Sequence, residues 1–239
     1  MASCAFCQLT LQRPTNQLTS YSDRILCRFC KQSIHRNQHA CIKCAEPQLN
    51  TANTPSTCAS CISKPPPWDE ILCPLLYTHP VQPSLKAFKF HRKTQLGRAL
   101  LACFLDTLGS HYAHRPYPTR IMTVPMHSRR FRSRGFDANA WLIKALSRKI
   151  PIPVDNNSLI KSKATQPQNS LTRANRLTNL QGSFSLAHRR DDLRGEHIAL
   201  FDDVMTTGST LTEIARLLKT QRPASIHIWC LARTPGRHL

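Results

Sequence analysis

The sequence predicts an α/β fold in which a mostly parallel sheet is flanked by helices and preceded by a small cysteine-rich module. Three observations carry this. Four Cys-x-x-Cys pairs crowd into the first 61 residues, and a stiff Lys64-Pro65-Pro66-Pro67 spacer follows them. Beyond the spacer, short apolar runs alternate with helical patterns, as in sheets whose parallel strands are joined by crossover helices. The expected organisation is a double zinc-ribbon module over 1–63, a Pro-rich linker over 64–70 and the α/β domain over 71–239.

The cysteine pairs are Cys4/Cys7, Cys27/Cys30, Cys41/Cys44 and Cys58/Cys61, eight of the eleven cysteines in the chain. A two-residue gap lets both thiolates of a knuckle reach one ion at about 2.3 Å, and two knuckles complete a tetrahedral site. In chain order the spacings are Cys-x2-Cys-x19-Cys-x2-Cys and Cys-x2-Cys-x13-Cys-x2-Cys, two ribbons in tandem, although joining the first pair to the third fits equally. A redox dithiol suits a single pair in a thioredoxin-like setting, not four pairs in a polar stretch. All-cysteine sites are closed and structural, so two Zn2+ ions are expected to supply folding free energy that this apolar-poor segment lacks. Cys73, Cys103 and Cys230 lie in apolar surroundings and read as core thiols.

Past the spacer, Ile71 to Tyr77 reads as a strand and Pro83 to Phe90 as a short helix ending in a basic cluster. From Thr94 to Tyr112, Leu96, Leu100, Cys103, Phe104 and Leu108 fall on one helical face. Ile121 to Val124 is a short strand, and Ala138 to Ile150 is a helix turning Leu142, Ala145, Leu146 and Ile150 inward. Between them runs a basic stretch, Arg129-Arg130-Phe131-Arg132-Ser133-Arg134-Gly135-Phe136, which reads as a loop. Its arginine forks match diphosphate oxygens, and its phenylalanines suit stacking on single-strand bases, unless Phe136 packs in the core. Residues 151–180 show little periodicity, and the basic run from Lys161 through Thr165, Gln168, Arg173, Arg176 and Asn179 reads as a loop able to close over an anion. Ile198 to Val204 is a strand, Leu211 to Leu218 a helix and Ile226 to Leu231 a last strand.

Charge restricts the partners. Thirty-three Lys and Arg against 13 Asp and Glu give a net +20, a field that attracts nucleic acid, diphosphates or acidic membrane surface. No apolar run reaches the length of a membrane span. The amino terminus lacks the basic and apolar regions of a signal peptide, so a cytoplasmic location is expected, where thiols favour metals over disulfides.

The segment Ile198-Ala-Leu-Phe-Asp202-Asp203-Val-Met-Thr206-Thr207-Gly208-Ser209-Thr210-Leu211 is the most informative. Two carboxylates end a buried strand, and a hydroxyl-rich loop then opens into a helix. Helix amino termini favour anions such as phosphate. Thr206, Thr207, Ser209 and Thr210 add hydroxyl donors, and Gly208 permits close backbone approach. Asp202 and Asp203 suit sugar hydroxyls or a divalent cation beyond the phosphate. No Gly-Lys-Ser/Thr of a Walker loop occurs.

This segment resembles the phosphoribosyl-diphosphate (PRPP) motif of type I phosphoribosyltransferases. The chain as a whole resembles the ComF family, including its GntX-type members. The resemblance rests on the order of cysteine pairs, Lys64-Pro-Pro-Pro-Trp68, Leu85-Lys-x-x-Lys89-Phe90, Val-Pro then Arg-Gly-Phe, Thr165 to Phe184, and the acid-pair motif. It implies that Asp202 and Asp203, the catalytic candidates, take the ribose hydroxyls, that Thr206, Thr207, Gly208, Ser209 and Thr210 hold the 5-phosphate, and that Arg130, Arg134 and Gly135 hold the diphosphate, with Mg2+ accompanying PRPP. Where the family continues Arg-Gly-Phe-Asn-Gln, this chain has Asp137 and Ala138. The resemblance further implies a natural-transformation factor that handles single-stranded DNA, with a helicase-type translocase as partner and peripheral contact at the inner-membrane face. The alternatives are a Mg-dependent phosphoribosyltransferase with an unknown acceptor, or an adaptor docking through its ribbons.

Overall fold

The computed structural model describes residues 2–11, 20–48, 56–126, 128–161, 182–187 and 193–236, with the backbone alone at 128–130. Thr165, Gln168, Arg173, Arg176 and Asn179 lie outside the described residues. The main sheet has the order β1–β8–β7–β3–β4, every pairing parallel. Its strands are β1 (Glu70–Leu72), β3 (Arg120–Thr123), β4 (Val154–Asp155), β7 (His197–Met205) and β8 (Ser225–Arg233). β2 (Leu75–Leu76) also runs beside β8. The single strand expected from Ile71 to Tyr77 is thus broken at Cys73-Pro74, where proline has no N–H to give the ladder.

The two central strands are buried on both faces, which is why they read as apolar runs. Successive residues still alternate between two cores. Ala199, Phe201, Trp229 and Leu231 face one, together with helices α3 (Val81–His91), α4 (Thr94–His111) and α6 (Ala138–Leu146). Ile198, Leu200, Ile228 and Cys230 face the other, covered by α7 (Ser209–Lys219) through Leu211, Ile214, Ala215 and Leu218. Each fully buried Leu, Ile or Phe contributes about 1.5–3 kcal/mol, so both faces are strongly specified. Cys73, Cys103 and Cys230 are buried free thiols.

Two further expectations change. The basic stretch after β3 forms helix α5 (Ser128–Arg134) rather than a loop. Arginine is a good helix former, and Gly135, at φ +62°, ends the helix in the left-handed conformation, its N–H bonding Phe131 O at 2.7 Å. The stretch without periodicity contains β5 (Leu159–Lys161), paired antiparallel with β6 (Phe184–Leu186) in a separate two-stranded sheet.

The cysteine-rich segment packs onto both cores. It contributes the short helices α1 (Arg28–Gln32) and α2 (Ala59–Ser63). Cys4, Ala5, Leu26 and Ile34 join the α4 side, while Ala45, with Trp68 from beyond the segment, joins the α7 side. Asp106 on α4 accepts from Tyr21 N at 2.6 Å, and Asn37 N donates to Pro74 O at 2.8 Å. Among the described residues no helix is long and apolar enough to cross a membrane.

Candidate functional site

β3 passes to β4 through α5 and α6, while β7 passes to β8 through α7, in the opposite direction along the sheet. Where neighbouring strands part like this, an open α/β sheet leaves a crevice beyond its carboxyl ends. β3 ends at Thr123, opposite Phe201, so Asp202 and Asp203 carry β7 past that end.

Three elements meet at the acid pair. Asp203 is buried, and its Oδ2 lies 2.6 Å from Nζ of Lys89, on the last turn of α3. Asp202 is half-buried, and its Oδ1 accepts from Asn139 Nδ2 at 2.9 Å and from Asp203 N at 2.9 Å. Asn139 lies on the first turn of α6. Burial pushes the Asp202 carboxyl up to about 6, and the Asp203 charge adds to the effect, against the Asn139 hydrogen bond and the Lys89 charge. The sequence assigns no role to Lys89 or Asn139. Carboxylates held this way can accept from vicinal hydroxyls or share a cation in place of the ammonium.

The following loop stands directly before α7. Thr206 is exposed, Thr207 and Thr210 are half-buried, and Gly208 and Ser209 are buried. Gly208 precedes the helix at φ +74°, and a Cβ there would meet Met205 Cε at 2.6 Å, so the turn requires glycine. Thr207 Oγ1 and Ser209 Oγ are hydrogen-bonded at 2.8 Å, and Ser209 N donates to Thr207 Oγ1 at 3.4 Å. The amino end of an eleven-residue helix and these hydroxyls form a surface suited to an anion.

The basic residues divide. Arg130 is on α5, where the structure describes its backbone alone. Arg134 turns toward α3: Nε donates to Lys89 O at 2.6 Å, and the guanidinium lies 5.1 Å from the Phe90 ring centroid. Gly135 O accepts from Arg92 Nη2 at 2.7 Å. Phe136 packs edge-on against Phe88 at 5.2 Å, whereas Phe131 is exposed. Asp137 caps α6, accepting from Ala140 N at 3.0 Å, where the helix dipole favours its charge.

The cysteines gather as Cys4/Cys7/Cys27/Cys30 and Cys41/Cys44/Cys58/Cys61, with the Sγ atoms of each group all within 4.8 Å of one another. This is the tandem pairing, not the interleaved one. Backbone N–H groups point at the sulfurs: Cys27 N to Cys4 Sγ at 3.3 Å, Cys30 N to Cys27 Sγ at 3.4 Å, and Lys43 N and Cys58 N to Cys41 Sγ at 3.4 and 3.3 Å. Burial raises the thiols of Cys4 and Cys41, yet backbone hydrogen bonds from Cys27, Cys7 and Phe6 on the one and from Cys58, Lys43 and Cys44 on the other outweigh it and hold them near 6 and 7. Burial pushes Cys44 up to about 12 and raises Cys30 and Cys61 as well. Four thiols in reach of one point fit a divalent metal ion that would hold them as thiolates, with the N–H donors already aimed at the sulfurs offsetting part of the remaining negative charge.

A Phosphoribosyl transferase domain model matches residues 140–239. DNA utilization protein YhgH of Escherichia coli K12 is 33% identical over 213 residues, covering 87% of this chain and 90% of that protein. Competence protein F of Haemophilus influenzae is 34% identical over 178 residues, 74% of this chain and 78% of that protein. The chain belongs to the ComF family. Competence protein ComFC of Bacillus subtilis, 24% identical over 223 residues, covers 89% of this chain and 85% of its own length. Among solved structures, a hypoxanthine phosphoribosyltransferase from Trypanosoma cruzi aligns at 18% identity and TM-score 0.35, over 59% of this chain and 76% of that one. The parallel sheet flanked by helices and the two cysteine clusters are therefore the architecture of a ComF-family phosphoribosyltransferase-like protein.

Proposed function

We propose that this ComF-family chain is a natural-transformation factor that binds PRPP at Asp202, Asp203 and the Thr206–Thr210 loop and associates with single-stranded DNA. One observation carries the reading: the adjacent carboxylates stand near the carboxyl end of β7, past the end of β3, and two residues before a hydroxyl-rich loop that opens into a helix. That placement suits a ribose 5-phosphate, the loop and helix end taking the phosphate and the acids the ribose hydroxyls. Lys89 gives the acid pair its counter-charge, and Asp202 and Asp203 would hold Mg2+ bound with PRPP, which would add to that counter-charge. Arg130, Arg134 and Gly135 are the proposed diphosphate neighbours, and Zn2+ is the proposed metal of both clusters, which present cysteine sulfur alone.

The DNA half of the reading is supported by the names of the relatives and by one surface. Phe90 is 67% exposed and Phe131 48% exposed, with exposed Lys86, His91, Arg92, Lys93 and Arg132 around them. Arg134 bridges the two elements, lying over Phe90 from the helix that carries Phe131. Exposed aromatics among cations suit stacked bases and a phosphate backbone.

The test is thermal. PRPP with Mg2+ raises the melting temperature of the wild type, and the double variant Asp202→Ala, Asp203→Ala abolishes the shift. A wild type that gives no shift ends the reading. A second reading is Mg-dependent transfer of the phosphoribosyl group to an unknown acceptor, favoured by the Phosphoribosyl transferase domain match over residues 140–239, in which the acceptor would bond C1 as the bond from C1 to diphosphate breaks. Diphosphate release above the buffer background distinguishes the two.

A further inference from the structure

We propose that the second cysteine cluster, Cys41/Cys44/Cys58/Cys61, is part of the scaffold of the Thr206–Gly208 loop, and that Arg233 and Trp68 are positioning residues which make the loop's geometry depend on metal in that cluster. The mechanical coupling stands on the contacts below. Naming PRPP as what the loop binds rests on the proposed function.

Arg233 is the last residue of β8, in register with Met205, and only 7% exposed. Its guanidinium is shared between two regions far apart in sequence. Toward the cluster, Nε donates to the carbonyl of Cys44, a cluster ligand, at 3.1 Å, and Nη2 pairs with the Glu46 carboxylate. Toward the loop, Nη1 donates to Met205 O at 3.2 Å and to Thr206 O. Glu46 is itself fixed from the far side, its Oε1 accepting from Gly236 N at 2.5 Å. A planar fork cannot shift one set of acceptors without disturbing the other.

Trp68 gives a second, independent link. Its Nε1 donates to the carbonyl of Lys43, inside the Cys41–Cys44 knuckle, at 2.6 Å. Its ring closes against the turn, with Cη2 3.6 Å from where a Cβ on Gly208 would stand. Lys43 Nζ in turn bonds Asp69 O at 2.9 Å, next to Trp68. When thiolates are drawn onto one ion, the knuckle that presents Lys43 O and Cys44 O is fixed, and both residues carry that rigidity to the loop.

The first cluster is placed differently. Cys4, Ala5 and Leu26 pack into the α4 core, on the face away from α7. Its metal supports the fold, whereas the second metal shapes the loop. An anion cradle binds well only if its donors are held in place beforehand, so a loosened loop costs affinity.

The experiment compares amide exchange over 204–211 in the full-length, metal-loaded wild type with Glu46→Gln, Arg233→Lys, Cys44→Ser and Cys7→Ser, with metal content measured for each. Exchange over 204–211 should rise roughly ten-fold in Glu46→Gln, Arg233→Lys and Cys44→Ser, while 198–201 stays protected and Cys7→Ser leaves the loop unchanged. PRPP affinity should fall by about the same factor in the first three. If a cysteine variant fails to fold, Glu46→Gln and Arg233→Lys decide. Unchanged loop exchange in those two folded variants overturns the proposal, as does equal loosening by Cys7→Ser and Cys44→Ser. If the exchange pattern holds and the wild type does not bind PRPP, the coupling stands and the PRPP reading falls.

Discussion

Lys89 Nζ lies 2.6 Å from Asp203 Oδ2, with the two side chains 18% and 12% exposed, and this pair ties the end of α3 to the end of β7. The ammonium balances one of two adjacent carboxylates and leaves Asp202 with its carboxyl raised. Removing one partner of a largely buried pair costs more than the pair contributes, because the remaining charge is stranded.

Lys89→Met should therefore destabilise the protein by about 2 kcal/mol, a melting-temperature drop of about 4–8 °C for a domain of this size. Mg2+ should restore part of the loss, since a divalent ion can replace the ammonium between the acids. Melting curves with and without Mg2+ check this. A variant as stable as the wild type, or one indifferent to Mg2+, contradicts the role given to Lys89.

Asp202 sets a pH dependence with a definite sign. Its folded carboxyl, near 6, stands above the ordinary Asp value of about 3.9. The native state therefore holds an extra proton between those values, so this group's stabilising contribution is complete below about 3.9 and is lost as pH rises through 6. Asp202→Asn should flatten that fall and be more stable than the wild type at pH near 7.5, by roughly 1–3 kcal/mol. Ligand binding has the opposite trend, because hydroxyls and Mg2+ need the ionised carboxylate. PRPP affinity should drop as pH falls through 6, measured by calorimetry.

A second titrating group lies at the other end of the sheet. Burial works to raise the Glu70 carboxyl, but hydrogen bonds from His111, His227 and Arg115 outweigh it and hold the group well below the usual carboxylate range. Glu70 thus stabilises the fold above its unfolded value of about 4.3, and the contribution is lost as pH falls below it. Glu70→Gln should lower the melting temperature at pH 7 and make the curve of melting temperature against pH flatter below pH about 5. Parallel curves for the two proteins would show that the network does not stabilise the fold.

How much of this was legible in the sequence depended on the range of the signal. The β7–loop–α7 unit could be read because strand, acids, hydroxyls and helix are consecutive, and the cysteine groups because ligand spacing is local. Lys89 and Asn139 were not legible. Their meeting with Asp203 and Asp202 depends on how α3 and α6 cross the sheet, which no local pattern encodes. Helix α5 was hidden because a seven-residue helix with one large apolar residue has no hydrophobic period, leaving only arginine's propensity and Gly135 as a stop. β5 and β6 are three residues each and pair across 22 intervening positions, too short and too far apart for a hairpin signal.

Metal removal should reach beyond the ribbons. Metal analysis should give two ions per chain, one for each cluster. Because Leu26 and Ile34 are buried against the same core as α4, stripping the first cluster exposes apolar surface of the main domain. A strong chelator should therefore lower the main unfolding transition rather than melt a separate module. Two resolved transitions, with the larger unaffected by chelation, would show that the segments fold independently.

The exposed aromatics give the last prediction. Stacking of a base on an aromatic ring contributes about 1–3 kcal/mol, so Phe90→Ala and Phe131→Ala should each weaken single-strand binding by roughly 5- to 150-fold. Neither ring belongs to a buried cluster, so melting temperatures should hardly move. Arg132→Ala acts differently. Losing one phosphate contact should weaken binding evenly across sequences and reduce the slope of log affinity against log salt by about 0.7. Phe136→Ala is the control for a ring that packs inside: Phe136 is fixed edge-on against Phe88, so its loss should lower stability and reach DNA binding only through the fold. Titrations of labelled single strands at several salt concentrations separate these effects. If Phe90→Ala and Phe131→Ala bind like the wild type while Phe136→Ala does not, the strand does not run across α3 and α5.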